Sequence, residues 1–536
     1  MATHRVRARP PRGSAQLPRL RRGDELLTHL ADAARTPGGH SPALAEPEDE
    51  AQVAAVLRAA PAVLPVGAQS SLTGGATPFG EWLLSTARLT ALEFPAPDRV
   101  RAGAGLPLST LEDEARPRGL FYPPVPTWRG ATVGGVLATN AAGANTFKYG
   151  STRAWVEALT VVLADGGVLD LRRGETRAHP DGFFEVVRAD GQVARVPVPT
   201  YRMPDVPKRS AGYHAEPGLD LVDLFVGSEG TLGIVTAAEL RLLPDRPRLW
   251  ALAFLDDEAR ALALVGDLRA AARRRWRTDP AAGPDVAAIE SLDARCLALL
   301  REDGQDREQG VRLPPGARCA LLIELELPGG ATSDDSQAQL AGWDEPGADG
   351  PLPAFVRLLA GHRALEGLEL ALPGDLRRAR QLLALREAVP EGVNRRIGEW
   401  QRAGQPTLHK LGGDLIVPWP ALPGFVAEMR TRLERLGLDH AFWGHVSDGN
   451  LHPNVLPRDE AQLKAGLQAL LDFGRRAIEL HGCPLSEHGV GRSRIKQQLL
   501  RELYGEQGVE QMRRVKQALD PHGRLAPGVL FPAERE

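Results

Sequence analysis

Two short polar segments hold three of the chain's 13 histidines. GHVSDGNLHPN (444–454) carries His445 and His452 on either side of a turn made from Ser447, Asp448, Gly449 and Asn450, and SEHGVGR (486–492) adds the adjacent pair Glu487 and His488. A single histidine is more often a surface or hydrogen-bonded core residue than a ligand. Two across a sharp turn, with a Glu-His pair elsewhere, point instead to a site. Two imidazoles and one carboxylate leave a coordination position open, as in catalytic rather than structural zinc centres. Donor type alone does not choose Zn²⁺ over Mn²⁺ or Fe²⁺.

A second kind of chemistry is written in glycine. LPVGAQSSLTGGA (64–76) is a strand followed by a loop of small residues. Gly67, Gly74 and Gly75 permit positive φ, and successive amides can turn inward to grip an anionic oxygen, with Ser70, Ser71 and Thr73 adding hydroxyls. The spacing is not GxGxxG leading into a helix, so it fails the usual nicotinamide pattern. ATVGGVLATNAAGANTFKYGSTR (131–153) places Gly134, Gly135, Asn140, Gly143 and Gly150 among small residues, with almost nothing bulky until Phe147. Backbone this bare suits close approach to a large flat ligand. DLFVGSEGTLGIVTAAEL (223–240) repeats the chemistry with Gly227, Ser228, Glu229, Gly230, Thr231 and Gly233 just before a strand.

Cations suited to an acidic substrate come next. Arg386 sits among apolar residues in LLALREAVPEGVNRR (382–396), which reads as helix as far as Pro390. His409 and Lys410 precede a strand in HKLGGDLIVPWP (409–420). In so Arg-rich a chain, Arg386 taken alone would be a helix-surface cation.

The elements that must position these residues fall into blocks. The length of 536 residues predicts two or three domains. Residues 23–60 read as two helices, the second (LAEPEDEAQVAAVLRAA) opening on Glu46, Glu48, Asp49 and Glu50, where the helix dipole favours acids. Short strands and Gly-rich turns follow as far as Pro244. Helical segments alternating with strands such as ALLIELELP then predict a second, α+β domain to about 430, and amphipathic helices (LKAGLQALLDFGRRAIEL, LLRELYGEQGVEQMRRVKQALD) close the chain. Composition is that of a globular protein, 43% hydrophobic and 25% charged, and the net charge of −3 gives no reason to expect nucleic acid. Cys296, Cys319 and Cys483 never form a CxxC pair, which argues against a disulfide scaffold or a Cys-ligated iron–sulfur cluster. The first 22 residues hold seven arginines and no acid, without the apolar segment of a secretory signal. They are expected to form a flexible basic tail (1–22).

The three glycine-rich segments, in this order, resemble the FAD-binding domain of the vanillyl-alcohol oxidase / p-cresol methylhydroxylase superfamily. The resemblance implies an α+β fold: a two-part FAD-binding domain at 42–245, an α+β cap at 246–430, and a C-terminal segment with helices (431–536) returning to the flavin. It implies cofactor contacts from Pro65, Gly67, Ala68, Gln69, Ser70, Ser71, Leu72 and Gly74 in the pyrophosphate loop. Thr132, Gly134, Gly135, Thr139, Asn140, Gly143, Tyr149, Gly150, Glu229, Gly230, Gly233 and Ile234 would line the rest. Ala68 and Gln69 stand where relatives commonly have two glycines. The loop lacks the histidine that tethers FAD in some relatives, so a non-covalent FAD is expected.

The histidine segments resemble the D-2-hydroxyacid dehydrogenase branch of that superfamily. This implies that His445, His452 and Glu487 hold a divalent metal, Zn²⁺ by preference, and that His488 is the base taking the substrate's hydroxyl proton. It also implies that Arg386 and Lys410 hold the substrate carboxylate and that Asn454 is a polar substrate contact. Ser447 replaces a usual Gly, and Pro390 occupies a position where some relatives carry a substrate-contacting hydroxyl. The segment KRSAGY (208–213) aligns with a family Lys-x-x-x-Gly-Tyr motif, expected beside the flavin.

The implied reaction is oxidation of a small D-2-hydroxy acid, D-lactate favoured, to the 2-oxo acid. Reoxidation would go to a quinone, a cytochrome or an electron-transfer protein. A cytoplasmic enzyme, peripheral at the inner membrane in one version and able to form a homodimer, fits this reading. Two alternatives remain: a non-catalytic flavin-binding subunit of a multi-subunit dehydrogenase, or another flavoenzyme of the superfamily resembling alkyl-dihydroxyacetonephosphate synthase.

Overall fold

The computed structural model describes residues 3–124, 126, 128–278, 283–405 and 407–532. The chain forms two compact units, one from residues up to 143 with 150–245 and 485 onward, the other from 144–149 with 246–484. The segment 431–484 therefore continues the second unit, and only the part from 485 belongs with the first. The α+β character holds throughout, with helices and sheets in both units.

Among the described residues the first unit holds four sheets, the smallest a pair formed by Leu120–Phe121 and Leu243–Pro244. In one, Leu44–Ala45 and Val63–Val66 run parallel to Trp82–Ser85, and Leu20–Arg21 pairs antiparallel with Leu44–Ala45. The second is antiparallel, ordered Val168–Arg172, Val156–Val162, Ile234–Arg241, Arg99–Gly103, Leu92–Ala96. Helix Glu50–Ala59 starts where the Asp49 side chain accepts from the Gln52 amide, and it buries Val53, Ala54, Val56 and Leu57 in the core between these sheets. The C-terminal segment returns here. The Val63 amide donates to Arg524, and Val63 accepts from Ala526, beside the pyrophosphate-loop strand. Helix Arg494–Leu519 is interrupted at Gly505, whose φ of 69° only glycine adopts without strain.

Two expectations need correction in this unit. Residues 3–22 are not a loose tail. Arg5–Arg7 forms a strand parallel to Phe183–Val187 in the third sheet, and Arg9 pairs with both Glu50 and Asp170. Arg5 likewise meets Glu185, so two of these arginines find their acids far along the chain. The first of the two expected helices is a short 3-10 segment, Gly23–His29, burying Leu26 alone.

The second unit is one antiparallel sheet with helices on both faces. Its order is Glu369–Ala371, Arg248–Leu255, Cys319–Glu326, Val286–Asp293, His440–Gly444, Asn450–Val455, Leu411–Gly412, with Leu415–Ile416 also paired to Asn450–Val455. All eight residues of Cys319–Glu326 are buried, as a central strand covered on both sides requires. Period-2 alternation sends Ala251, Ala253 and Leu255 to a core with helices Glu258–Arg277, Pro351–Gly361, Leu422–Arg435 and Glu460–Glu479. It sends Leu252 and Phe254 to the opposite core, against Leu297, Leu300, Leu382, Leu385 and Val389.

Pro390 does not end its helix. Leu376–Arg402 runs through it as 27 residues, although the missing amide leaves the Arg386 carbonyl without its usual donor. Burial of Leu382, Leu385, Val389 and Val393 on one stripe, spanning the proline, outweighs that loss. The three cysteines are buried free thiols. Among the described residues no helix is long and apolar enough to cross a membrane.

Candidate functional site

In the first unit the three glycine-rich segments meet. A Cβ at Gly67 would stand 2.4 Å from the Thr132 hydroxyl, and one at Gly230 would stand 2.5 Å from Pro65, so neither position admits a side chain. The amides of Gly227 and Glu229 donate to Leu137 and Ala138, joining the third segment to the second. Asn140, buried at φ 47°, accepts the Arg153 amide on Oδ1. Thr132 caps the short helix Val133–Ala138 by accepting from Gly135, and Thr139 donates back to the Gly135 carbonyl. Glycines 143 and 150 mark where the chain leaves and re-enters this unit.

The pyrophosphate loop has the polarity a phosphate needs. The carbonyls of Gln69 and Ser71 accept from Ala33 and Ala34. Among the described residues nothing accepts from the amides of residues 68–72, and the side chains of Ala68, Ser70 and Leu72 are exposed. A loop with carbonyls turned into the fold and amides left over is an anion cradle. Gln69 adopts the left-handed conformation of a glycine, φ 52°, and its amide nitrogen donates to His29 and Ala76, which holds the loop shut. The residues thus fit a dinucleotide.

The C-terminal turn 486–492 belongs to this cradle. Arg492 donates to the Thr73 carbonyl, and a Cβ at Gly491 would stand 2.1 Å from the Thr73 hydroxyl. The Glu229 carboxylate accepts from the amides of Val490 and Gly491, both at 2.8 Å, so its side chain ties the third segment to this turn. Burial pushes this carboxyl up to about 7, against the opposing pull of those amides. Lys208, fully buried, donates to Glu487 at 2.9 Å, and the His488 ring lies 3.4 Å from the other oxygen of Glu487. The KRSAGY lysine is therefore the partner of Glu487. Ile234, expected at the cofactor, instead packs into the sheet core beside Val162 and Leu525.

Tyr149 departs further from expectation. It lies in the six-residue stretch 144–149 that belongs to the second unit, and its hydroxyl donates to Glu326. Lys148 bridges Asp285 and Glu326 at 2.8 Å, and Phe147 packs in the second unit's core against Trp276. The first bulky residues after the bare run are an anchor.

In the second unit the antiparallel hairpin His440–Gly444 and Asn450–Val455 carries the imidazoles. Gly449, at φ 91°, makes the sharp turn, where a Cβ would strike the Val417 carbonyl at 2.6 Å. The His445 and His452 rings stand 5.4 Å apart and perpendicular, both buried. His445 Nδ1 meets Glu290 Oε1 at 2.5 Å, and His452 Nδ1 lies 3.9 Å from the buried Asp414. Glu290 engages one nitrogen of His445, as carboxylates do beside metal-ligating histidines, and the buried Asp414 beside His452 adds a carboxylate able to share a divalent cation. Ser447 pins the turn to the central sheet, its hydroxyl accepting from the Ile289 amide at 3.1 Å.

Arg386 and Lys410, expected to hold a substrate carboxylate, lie in the same unit. Arg386 is buried, with Nε and Nη2 each 3.1 Å from Glu290 Oε2. Lys410 lies 5.2 Å over the Trp443 ring, and burial together with the Arg386 charge brings its ammonium down to about 8. Two cations near one another, only one of them paired with a carboxylate, make a setting that suits an anion. Asn454, 1% exposed, donates to the His452 carbonyl at 2.7 Å while its Oδ1 is buried with no partner among the described residues. Sequence reasoning missed Glu290. Its signal is a carboxylate in the middle of the apolar run VAAIESL.

Comparison with known proteins agrees with both halves. Residues 41–172 match the family described as FAD binding domain, and residues 256–530 match FAD linked oxidases, C-terminal domain. The chain is 30% identical to a D-2-hydroxyglutarate dehydrogenase of Xanthomonas citri pv. viticola, covering 91% of this chain and 89% of that protein. It is 30% identical to the mitochondrial D-2-hydroxyglutarate dehydrogenase of Bos taurus (95% and 80%), and 27% identical to a D-lactate dehydrogenase of Archaeoglobus fulgidus (90% and 90%). An FAD cradle joined in one chain to an FAD-linked oxidase domain defines a flavin-dependent oxidoreductase. The chain belongs to the FAD-linked D-2-hydroxyacid dehydrogenase family of the vanillyl-alcohol oxidase / p-cresol methylhydroxylase superfamily.

Proposed function

We propose that the protein oxidises a small D-2-hydroxy acid to the corresponding 2-oxo acid, with non-covalently held FAD and a divalent metal, zinc by preference. The observation that carries this reading is the meeting, within one unit, of the His445–His452 pair, the Arg386–Lys410 clamp and the partnerless Asn454 oxygen.

Arg386 and Lys410 bind and orient the substrate carboxylate, Arg386 by its guanidinium fork and Lys410 as a point charge. Asn454 Oδ1 offers an acceptor to a substrate or water hydroxyl. His445, His452 and Glu487 are the residues assigned to the metal, which when bound acidifies a coordinated hydroxyl. His488 takes the hydroxyl proton onto its ring nitrogen. FAD, held by the glycine-rich segments, would supply the acceptor for the hydride. Lys208, by donating to Glu487, fixes the carboxylate in place.

Among substrates, D-lactate is the favoured choice, and the names of the relatives add D-2-hydroxyglutarate. The reduced cofactor is reoxidised by a quinone, a cytochrome or an electron-transfer protein. The purified protein should be yellow, and the yellow should bleach anaerobically with D- but not L-hydroxy acids. Dialysis against a chelator should slow bleaching, and added Zn²⁺ or Mn²⁺ should restore it. A yellow protein that no hydroxy acid bleaches would refute the enzyme reading.

A further inference from the structure

We propose that Glu290 is a positioning residue that fixes the metal-ligand imidazole of His445 and the acid-clamp guanidinium of Arg386 as one assembly, coupling metal binding to substrate grip. This rests on the metal and clamp assignments made above.

Strand register creates the arrangement. Ser291 pairs with Gly444 and Leu292 with Trp443 in an antiparallel ladder, which carries Glu290 opposite His445. Helix Leu376–Arg402 lies in the core on one face of the sheet and delivers Arg386 to the same carboxylate. The two oxygens divide the work. Oε1 meets His445 Nδ1 at 2.5 Å, and Oε2 receives both Nε and Nη2 of Arg386 at 3.1 Å.

All three side chains are buried, with exposures of 8% for Glu290, 2% for His445 and 7% for Arg386. A carboxylate so placed is tolerated only when its oxygens are engaged, and here one cation and one ring N–H engage them. The consequence for His445 is a fixed tautomer. With Nδ1 donating to Glu290, Nε2 is the ring nitrogen that carries the lone pair, the form a metal-ligating imidazole needs. The consequence for Arg386 is a fixed fork. Its Nε edge is held by Glu290, leaving Nη1 for a substrate carboxylate. Because both groups draw on the same carboxylate, removing the demand of one strengthens the hold on the other.

The test uses the purified flavoprotein and the variants Glu290→Gln, Arg386→Met and the double variant. Metal affinity is read on metal-stripped protein by competition for Zn²⁺ with a chromophoric chelator, and KM and kcat by substrate-driven flavin reduction. Glu290→Gln should weaken Zn²⁺ binding roughly ten- to a hundredfold, the usual loss when a ligand's hydrogen-bond partner is removed, and raise KM, with flavin content unchanged. Arg386→Met should tighten Zn²⁺ binding severalfold, because Glu290 then no longer divides its charge between Arg386 and His445, and this gain should vanish in the double variant. Zn²⁺ affinity in Glu290→Gln within twofold of wild type would overturn the proposal, as would an equal effect of Arg386→Met in both backgrounds. If Glu290→Gln fails to fold, Arg386→Met decides alone, since unchanged Zn²⁺ affinity there excludes coupling. A wild-type protein that binds no Zn²⁺ would instead refute the metal assignment itself, and the coupling with it.

Discussion

Lys410 is the residue whose chemistry is most open to measurement. Burial and the nearby Arg386 hold its ammonium near 8, well below an ordinary lysine. Its charge is therefore complete below that pH and fades above it. KM for the hydroxy acid should stay level to about pH 7 and climb as pH passes through about 8. Lys410→Met should show a raised KM at every pH and lose that rise, as initial-rate measurements across the range would reveal. At this scale some residues stand out in the sequence and others do not. Histidine pairs across a turn and a Lys before a strand stand out by type and spacing. Glu290 does not, because one carboxylate in an apolar strand looks like the solvent-facing position of a half-buried one. Only pairing with His440–Gly444 on one side and Cys319–Glu326 on the other shows that it has no solvent to face.

Elements show the same division. The bare glycine segments were legible because absence of side chains is itself a pattern, and they do converge. Pro390 misled because a local rule was applied where a buried stripe of Leu and Val decides the outcome. Among the turns, the one at 489–491 is held by Glu229, and its carboxyl carries a pH signature. Its folded-state value of about 7 lies above the ordinary 4.5, so the folded chain binds the extra proton between those limits. The stability this contributes is complete below about 4.5 and is lost as pH rises through about 7. Melting temperature followed by flavin fluorescence should therefore drop between pH 5 and 8 more steeply in wild type than in Glu229→Gln, which has no proton to lose.

For the whole molecule, the N-terminal residues are structural rather than ornamental. Arg9 spans Glu50 at the start of a core helix and Asp170 on an edge strand, and Arg5–Arg7 extends a sheet. Deleting residues 3–22 should lower the melting temperature and loosen FAD retention, whereas a truly flexible tail would leave both unchanged. The arginine run gave no hint of this, since its acidic partners lie about forty to more than 150 positions away and only the folded chain brings them together.

The first unit is closed by the last stretch of the polypeptide, through the Val63–Leu525 bridge and the Gly491–Thr73 contact. On the ribosome, then, the FAD cradle must wait. The N-terminal strands emerge first with an open edge and an unfinished loop, while residues 246–484 can complete their own sheet before synthesis ends. A chain ending just after residue 484 would hold a finished second unit and a first unit with no way to shut, a form that cellular proteases would recognise by its exposed edge.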